Sequence, residues 1–417
     1  SLQRGATFLT NILQDENSGT FPCQYKGPMF MTAGYIVSMY VAKIEIPEHT
    51  KQELIRYIVN AAHPVDGGWG LHSVDKSTCL GTSINYVCLR LLGMDKNHEV
   101  CVRSRKKLHQ LGGAIGAPHW GKIYLALLNL YSWDGVNPAP PELWLLPSWV
   151  PVHPGNWWVH TRAIYLAVGH LSALEYQCDL DPLLEQIRDE IYVKPFDKIN
   201  FSQNRNTVCG VDLYYPHSKL LNLANDILVF YGKHLRTKKI LKWANDYSYS
   251  ILKKEFMITT NMSIAPVSFA FTCTVTMIEE GKDSEIFKNL IDNFKYYLFN
   301  GPQGMCVMGT DGVQVWDCAF FVQYFFMTGL AEQKEYIPFV KNAYEFLCRS
   351  QFDSECEPGS FRDKRKGGWP FSTKPQGYTV SDCTAEAMKA IIMVKNCPLY
   401  KDVHHLMEDS RLHDSVD

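Results

Sequence analysis

The chain has 417 residues, of which 46% are hydrophobic and 13% aromatic, and its formal net charge is −2. This composition supplies a large core and excludes the basic balance typical of nucleic-acid-binding proteins, and no apolar run approaches the roughly 18 residues of a spanning helix. The 13 cysteines form no Cys-x-x-Cys pair and no zinc-ligand spacing appears, which favours reduced, buried thiols in an intracellular protein over a disulfide framework or a metal site.

Apolar residues recur at spacings of three and four along most of the chain, and strand-like alternation is rare. This pattern predicts an all-α protein built from helices of moderate length. Examples of the predicted helices, in chain order, are Gln52–Ala62, Ser83–Leu92, Lys122–Tyr131, Pro182–Tyr192, Ser268–Glu280, Cys318–Leu330 and Thr384–Val394.

Loops rich in glycine and tryptophan separate these helices, at 66–70, 112–120, 312–316 and 367–369. Glycine permits a tight turn or a positive φ, and tryptophan then covers a neighbouring helix end with a large apolar surface. A helix pair closed by such a loop, and repeated, predicts a helical solenoid or a closed α/α toroid. The alternative is that Gly-Gly-Trp only marks turns.

The segment Pro138–Trp158 differs from the rest, with six prolines, four tryptophans and almost no charge. Two interpretations fit this composition equally well: a membrane patch with tryptophan at the interface, or a proline-stiffened loop packed on the core.

The segment Gly116–Lys122 has the spacing of a phosphate-binding loop. Ile123 replaces the Mg²⁺-binding hydroxyl, and Pro118 removes a backbone N–H, so we predict no nucleotide site there.

The pentapeptide Asp382-Cys383-Thr384-Ala385-Glu386 opens the last predicted helix, just behind the aromatic run 367–371. Asp382 is either an N-cap or an acid, and Glu386 is favourable in a first helical turn in both cases. The aromatic, nearly uncharged approach would desolvate the carboxyl of Asp382 and favour its protonated form. Cys383, a weak hydrogen-bond donor, would leave that proton in place, and Glu386 would relay protons from solvent.

Together with Trp369, Phe371 and Tyr378, this pentapeptide resembles the signature of the oxidosqualene cyclases. Further segments agree with the resemblance, at 24–28, 63–70, 140–147, 157–162 and 316–318. The resemblance runs along essentially the whole chain and is closest to the fungal members that form lanosterol.

The resemblance implies a pair of α/α barrels, one inserted into the other. Residues 1–298 would form the inserted barrel, and 299–417 the first returning part of an incomplete catalytic barrel. Because the chain begins at Ser1 rather than Met and stops soon after Asp382, we expect it to be part of a longer protein, and to be unable to enclose a substrate alone. Phe21 stands where the family usually has tryptophan, and we expect it to pack there.

The implied substrate is 2,3-oxidosqualene, and no cofactor or metal is implied. Asp382 would protonate the epoxide oxygen, Cys383 would hydrogen-bond to this acid, and aromatic faces would stabilise the following cations. His160 resembles a residue of late cation control and final deprotonation. The residues assigned by resemblance to the substrate are Tyr25 (ring B), Trp316 and Phe371 (cavity), Trp158 and Tyr378, Tyr165 with Thr161 (entrance constriction), and Thr310, Gln376 and Val380 (positions typical of lanosterol formers).

The family counterpart of Pro138–Trp158 lies near a membrane-embedded surface, so the resemblance favours monotopic contact with the endoplasmic reticulum membrane and lipid droplets, facing the cytosol. No nucleic-acid partner is expected, and the oligomeric state is left open. Three alternatives remain: a sister triterpene cyclase with another product, an inactive toroid acting as a membrane-bound or interaction protein, and a zinc-dependent prenyltransferase toroid, which the lack of a metal-ligand set disfavours.

Overall fold

The computed structural model describes residues 1–15, 17–21, 24–216 and 218–416, and these are largely helical, which confirms the all-α prediction. The helices are α1 (Leu2–Phe8), α2 (Phe30–Val41), α3 (Glu48–Asn60), α4 (Cys79–Leu91), α5 (Glu99–Gln110), α6 (His119–Leu127), α7 (Val159–Leu174), α8 (Pro182–Ile191), α9 (Lys219–Phe230), α10 (Lys238–Ile258), α11 (Pro266–Glu280), α12 (Glu285–Asn293), α13 (Gln314–Met327), α14 (Ile337–Ser350), α15 (Ser381–Lys395) and α16 (Asp409–Asp414). The strands β1 (Leu298–Gly301) and β2 (Gly304–Val307) form an antiparallel hairpin.

Each predicted helix is confirmed, with ends shifted by a few residues, as α3, α4, α6, α8, α11, α13 and α15. The hairpin was not predicted from the sequence. Two strands of four residues are too short to give an alternation signal. The hairpin packs on α3 so closely that a Cβ on Gly304 would lie 2.5 Å from the Glu53 carbonyl oxygen, so this position requires glycine.

The chain forms two compact units. The terminal unit comprises Ser1–Tyr25, Lys254–Ala265 and Thr310–Asp417, and the central unit comprises Lys26–Lys253 and Pro266–Gly309. The predicted division into barrels at 298/299 stays a prediction.

Each unit has its own helical core. In the central unit α2 packs against α4 and α11, and α7 packs against α11. Helix α4 is buried from Cys79 to Arg90, as expected of a helix with neighbours on every side. In the terminal unit α13 packs against α14 and α15, around a core that includes Val322, Leu347 and Ile391.

A Trp loop closes the helix pair α3–α4 in the central unit. Gly67 adopts φ +74°, which lets the chain reverse, and Trp69 behind it is fully buried. The Trp69 indole N–H donates to the Ile58 carbonyl at 2.8 Å, near the end of α3. Its backbone N–H donates to the Thr82 hydroxyl of α4 at 3.2 Å, so one residue ties both helices together.

The same Trp loop recurs between α14 and α15 in the terminal unit. Gly367 adopts φ +86°, and Trp369 is fully buried. The Trp369 indole N–H donates to the Leu347 carbonyl at 2.7 Å, and its backbone N–H donates to the Thr384 hydroxyl at 3.0 Å. The predicted repeat is therefore confirmed for these two loops.

A third loop has phenylalanine in the tryptophan position. The Gly19 N–H donates to the Asp15 carbonyl at 2.7 Å, as the Gly67 N–H does to the carbonyl of His63 at 2.8 Å. Phe21 is buried, and its ring lies 4.9 Å from that of Phe321, which confirms that phenylalanine packs there.

The other two glycine- and tryptophan-rich segments do not repeat this loop. Trp120 and Trp316 lie inside the helices α6 and α13, where Trp120 is exposed and Trp316 is partly buried. The composition of these segments resembles the Trp loops, but their tryptophans follow the glycines by a longer interval and enter the next helix.

Candidate functional site

The pentapeptide begins in the first turn of α15. Val380 occupies the N-cap position, and its backbone N–H donates to the Trp369 carbonyl at 2.9 Å, so the Trp loop fixes where the helix starts. Asp382 is exposed, and the predicted desolvation of its carboxyl is therefore wrong for the described residues. The reason is helix geometry, since successive side chains of a helix point about 100° apart. Cys383 and Thr384 face the core, and this turn leaves Asp382 on the exposed side.

Cys383 is fully buried in the core of the terminal unit. Burial raises the pKa of its thiol to about 12, and the nearby carboxylates of Asp382 and Glu386 add to the effect. The thiol therefore stays protonated. Among the described residues, no hydrogen bond joins it to Asp382, so the predicted contact is not present in this chain, although the two residues are adjacent.

Glu386 is held as a carboxylate. It accepts hydrogen bonds from Lys389 Nζ and from Gln323 Nε2, each at 2.8 Å. These two donors lower the pKa of Glu386. A group that stays ionised is a poor proton reservoir, which disfavours the proton relay expected from the sequence.

Thr384 has a structural role within the same motif. Its hydroxyl accepts from the Trp369 N–H at 3.0 Å and donates to the Val380 carbonyl at 2.9 Å. Thr82 of α4 holds the equivalent position in the other Trp loop. Two residues before it stands Leu80, where α15 has Asp382. The two Trp loops therefore share the threonine contact, and the acidic residue is present only in the second of them.

An aromatic cluster in the terminal unit unites three predicted substrate residues. The ring of Phe371 lies 5.2 Å from that of Tyr25 and 6.0 Å from that of Trp316. Phe320 joins the cluster, 4.7 Å from Trp316. The sequence analysis missed Phe320, although its spacing of four from Trp316 on α13 was a usable signal. We call Tyr25, Trp316, Phe320 and Phe371 the aromatic cluster.

Of the predicted product-determining residues, Gln376 contacts the backbone of the aromatic cluster. Gln376 is buried, and its side-chain carbonyl accepts from the Phe371 N–H at 3.1 Å. Thr310 is buried and donates to the Gly312 carbonyl just before α13. Tyr378 is partly buried and lines a cavity of about 230 Å³ with Arg362.

A second group of predicted residues lies in the central unit, at the start of α7. The rings of Trp158 and His160 are 4.7 Å apart, and Trp158 is 68% exposed. Tyr165 donates to the Pro140 carbonyl at 2.8 Å, and burial raises the pKa of its phenol. The hydrogen bond to Pro140 holds the Tyr165 ring in place.

Thr161 and Tyr165 line a cavity of about 570 Å³ in the central unit, together with apolar side chains of α7 and both apolar and amide side chains of α9. His119, which the sequence analysis did not select, also lines it. Burial lowers the pKa of His119 to about 4, so its imidazole is neutral at physiological pH. The cavity is therefore suited to an uncharged, mainly apolar molecule.

The segment Pro138–Trp158 combines both interpretations of its composition. Trp144 is buried and makes an edge contact with the ring of His153 at 5.6 Å, as in a loop packed on the core. Trp149 and Trp158 are exposed, as in an interfacial patch. No helix among the described residues combines the length and apolar character needed to cross a membrane.

Lys122 shows why Gly116–Lys122 is not a phosphate loop. The ammonium group is buried and donates to the carbonyls of Asn204, Arg205 and Thr207 at 2.8, 2.8 and 3.0 Å. Burial lowers the pKa of Lys122 to about 8. Its three donors are already used, so none is left for a phosphate.

Comparison with known proteins assigns the family. The family model described as the squalene-hopene cyclase N-terminal domain matches residues 6–252. The chain therefore belongs to the squalene-hopene and oxidosqualene cyclase family, as the motifs predicted.

Several curated relatives match nearly the whole chain. Lanosterol synthase of Saccharomyces cerevisiae is 62% identical over 413 residues, which is 99% of this chain and 56% of the relative. Lanosterol synthase of Candida albicans is 61% identical over 418 residues, or 100% and 57%. Cycloartenol synthase of Dictyostelium discoideum is 38% identical over 385 residues, or 92% and 54%. The chain thus spans little more than half the length of these relatives.

Proposed function

We propose that the full-length protein carrying this chain is an oxidosqualene cyclase that converts (S)-2,3-epoxysqualene to lanosterol in sterol biosynthesis. The observation that carries the proposal is the position of Asp382 in the first turn of α15, next to the buried thiol of Cys383 and in the same unit as the aromatic cluster. The printed names of the fungal relatives, lanosterol synthases, agree with it.

In the proposed reaction, Asp382 acts as a general acid. Its proton passes to the epoxide oxygen, the C–O bond to the more substituted carbon breaks, and the oxygen becomes the hydroxyl of the product. The cation moves along the chain as each alkene closes a ring. A proton lost at the end balances the one supplied at the start, so the reaction is an isomerisation and consumes no cofactor.

The aromatic cluster supports the propagation of the cation. Aromatic faces attract a cation within about 6 Å of the ring centroid and accept no proton, so they stabilise it without ending the cascade. The ring of Phe371 lies 5.2 Å from that of Tyr25 and 6.0 Å from that of Trp316, so these faces are close enough to act on the same cation. His160, in the central unit, is the proposed acceptor of the last proton; its pairing with Trp158 would orient the imidazole.

The proposed acid role sets a requirement on the full-length protein. Asp382 is exposed in the present chain, whereas an acid that protonates an epoxide works in a site from which water is excluded. We propose that the further length found in the relatives completes the pocket over the first turn of α15.

Helix α9 supports the proposal of a monotopic membrane contact at the endoplasmic reticulum or lipid droplet. Leu220, Leu223, Ile227 and Phe230 follow one another at spacings of three and four, and each is more than half exposed. Such a stripe on one helix face is typical of interfacial helices. The substrate is a C30 hydrocarbon epoxide that resides in lipid, which agrees with an enzyme seated on a membrane surface.

The membrane contact is tested by flotation of the full-length protein with phospholipid vesicles. Replacing Leu223 and Ile227 with glutamate is expected to weaken partitioning by at least about tenfold, because two apolar side chains lose their insertion energy. Val102→Glu on α5, a partly exposed apolar site elsewhere, is the matched control. Equal flotation of all three proteins would exclude α9 as the contact.

The activity is tested by product analysis in a cyclase-deficient cell complemented with the full-length protein. Asp382→Asn is expected to lower cyclisation by at least about 100-fold, because the amide cannot donate the proton. Asp402→Asn, at an exposed ion pair, is the control and should form product as the wild type does. If Asp382→Asn keeps its activity, Asp382 is not the acid; if the wild type forms another triterpene, the assigned product is wrong.

A further inference from the structure

Asp311 is a buried carboxyl that the proposed reaction does not use. It lies on the loop before α13 and is 6% exposed. Its two oxygens accept hydrogen bonds from the hydroxyls of Ser372 and Thr373, about sixty residues further along the chain. Among the described residues, no Lys, Arg or His forms an ion pair with it. A buried charge without a counter-ion is costly, so this arrangement calls for an explanation.

The two hydroxyls belong to the segment that carries Phe371. The Trp316 N–H donates to the Phe371 carbonyl at 3.3 Å, and the Val315 N–H donates to the Ser372 carbonyl at 3.1 Å. The Phe371 N–H donates to the Gln376 side chain at 3.1 Å. Among these contacts, the hydrogen bonds from Ser372 and Thr373 to Asp311 are the ones that side chains make on the C-terminal side of Phe371. The backbone of Phe371 is thus held from both sides.

The position of the Phe371 ring depends on this backbone. Phe371 connects Tyr25 to the rest of the aromatic cluster, because its ring contacts both Tyr25 and Trp316. If the segment 371–373 moves, these two ring contacts change together.

We propose that Asp311 is a positioning residue, whose hydrogen bonds to Ser372 and Thr373 hold the Phe371 ring in place against Tyr25 and Trp316. The inference rests on the proposed function, since the ring position matters to products only if the cluster meets carbocations. Displacements near 1 Å are enough to alter rates by about two orders of magnitude when reacting groups must be aligned. Asp311 thus acts on the reaction through Phe371, without touching the substrate.

The site requires a hydrogen-bond acceptor of this shape, whereas the negative charge is dispensable. Burial raises the pKa of Asp311, although the two hydroxyls oppose the shift, so the charged form is disfavoured. An asparagine has the same shape, keeps one acceptor oxygen and offers an N–H₂ group to a hydroxyl that turns around. Alanine removes both contacts. The two substitutions therefore separate positioning from acid–base chemistry.

The test uses the full-length protein, with 2,3-oxidosqualene turnover and the ratio of cyclised products as separate readouts. Asp311→Asn should keep the wild-type product ratio and a rate within about threefold. Asp311→Ala should lower kcat/KM by about 10- to 100-fold and yield partly cyclised or rearranged alcohols. Asp402→Ala, an exposed carboxylate in the same unit, should match the wild type in both readouts. A loss of folded protein alone would lower the total product and leave the ratio unchanged.

Two results would overturn the positioning role: a wild-type product ratio from Asp311→Ala, or equal damage from Asp311→Asn and Asp311→Ala. If Asp311→Ala does not accumulate, Ser372→Ala and Thr373→Val each remove one of the two hydrogen bonds, and altered product ratios from them support the proposal while unaltered ones overturn it. A wild-type protein that forms no cyclised product would instead overturn the proposed function, and the inference with it.

Discussion

Thr384→Val separates the structural part of the pentapeptide from its proposed chemistry. Valine has nearly the shape of threonine, so the packing of α15 against α13 is kept and only the hydroxyl is lost. The hydroxyl accepts from the Trp369 N–H at 3.0 Å, and Trp369 is fully buried. Without it, a buried backbone donor has no partner. The Val380 carbonyl is affected less, because it also accepts from the Thr384 N–H at 2.9 Å.

The expected cost follows from this single orphaned donor. An unsatisfied buried N–H costs about 1–3 kcal/mol. This free energy corresponds to roughly 5- to 150-fold faster exchange of the Trp369 amide, if the loop opens locally. The product ratio should not change, because the Thr384 hydroxyl contacts the backbone of Trp369 and Val380 and none of the rings of the aromatic cluster among the contacts described.

Hydrogen exchange of the full-length protein, read by mass spectrometry on peptides that cover 368–380, measures the effect. Thr384→Ser keeps a hydroxyl and should exchange as the wild type does. Thr82→Val is the matched variant in the other Trp loop, and its effect should appear at Trp69. If Thr384→Val exchanges at the wild-type rate, or if Thr384→Ser is as fast as Thr384→Val, the hydroxyl does not hold the loop.

Two further predictions concern buried charges of the terminal unit. Glu255→Gln should lower stability by about 3–5 kcal/mol, because Arg362, with a side chain only 3% exposed, would keep its charge without a partner. A thermal melt checks this, and Asp402→Asn, at an exposed ion pair, should melt close to the wild type. For Asp311, the folded-state pKa lies above the ordinary 3.8, so protonation favours the folded state. The stability of the wild type should therefore fall relative to that of Asp311→Asn as pH rises from 3.8 through the higher pKa. A difference in melting temperature between the two proteins that stays constant across this pH range would contradict the shift.

The Trp loops were predictable because their physics is local. A glycine with positive φ and a large aromatic residue two positions later leave a clear mark in the sequence, and the next helix begins about eleven residues beyond. The same reasoning failed for Trp120 and Trp316, since composition alone does not say whether a tryptophan ends a loop or opens a helix.

Helix α9 shows the opposite case. Its apolar residues recur at helical spacing, which is a local signal for a helix. In the structure that face is exposed. Only the packing around α9 reveals that this stripe has no cover among the described residues.

The sequence by itself determined the all-α class, the repeated loop, the family and the position of Asp382 at a helix start. Each of these features depends on residues within about one helix–loop unit, or on short sequence motifs. The tertiary structure decided that Asp382 is exposed, that Cys383 is buried, and that the Phe371 ring contacts both Tyr25 and Trp316. It also decided that Asp311 holds Ser372 and Thr373. These are contacts between residues far apart along the chain, or consequences of which helix face is covered, and no local pattern of residues specifies them.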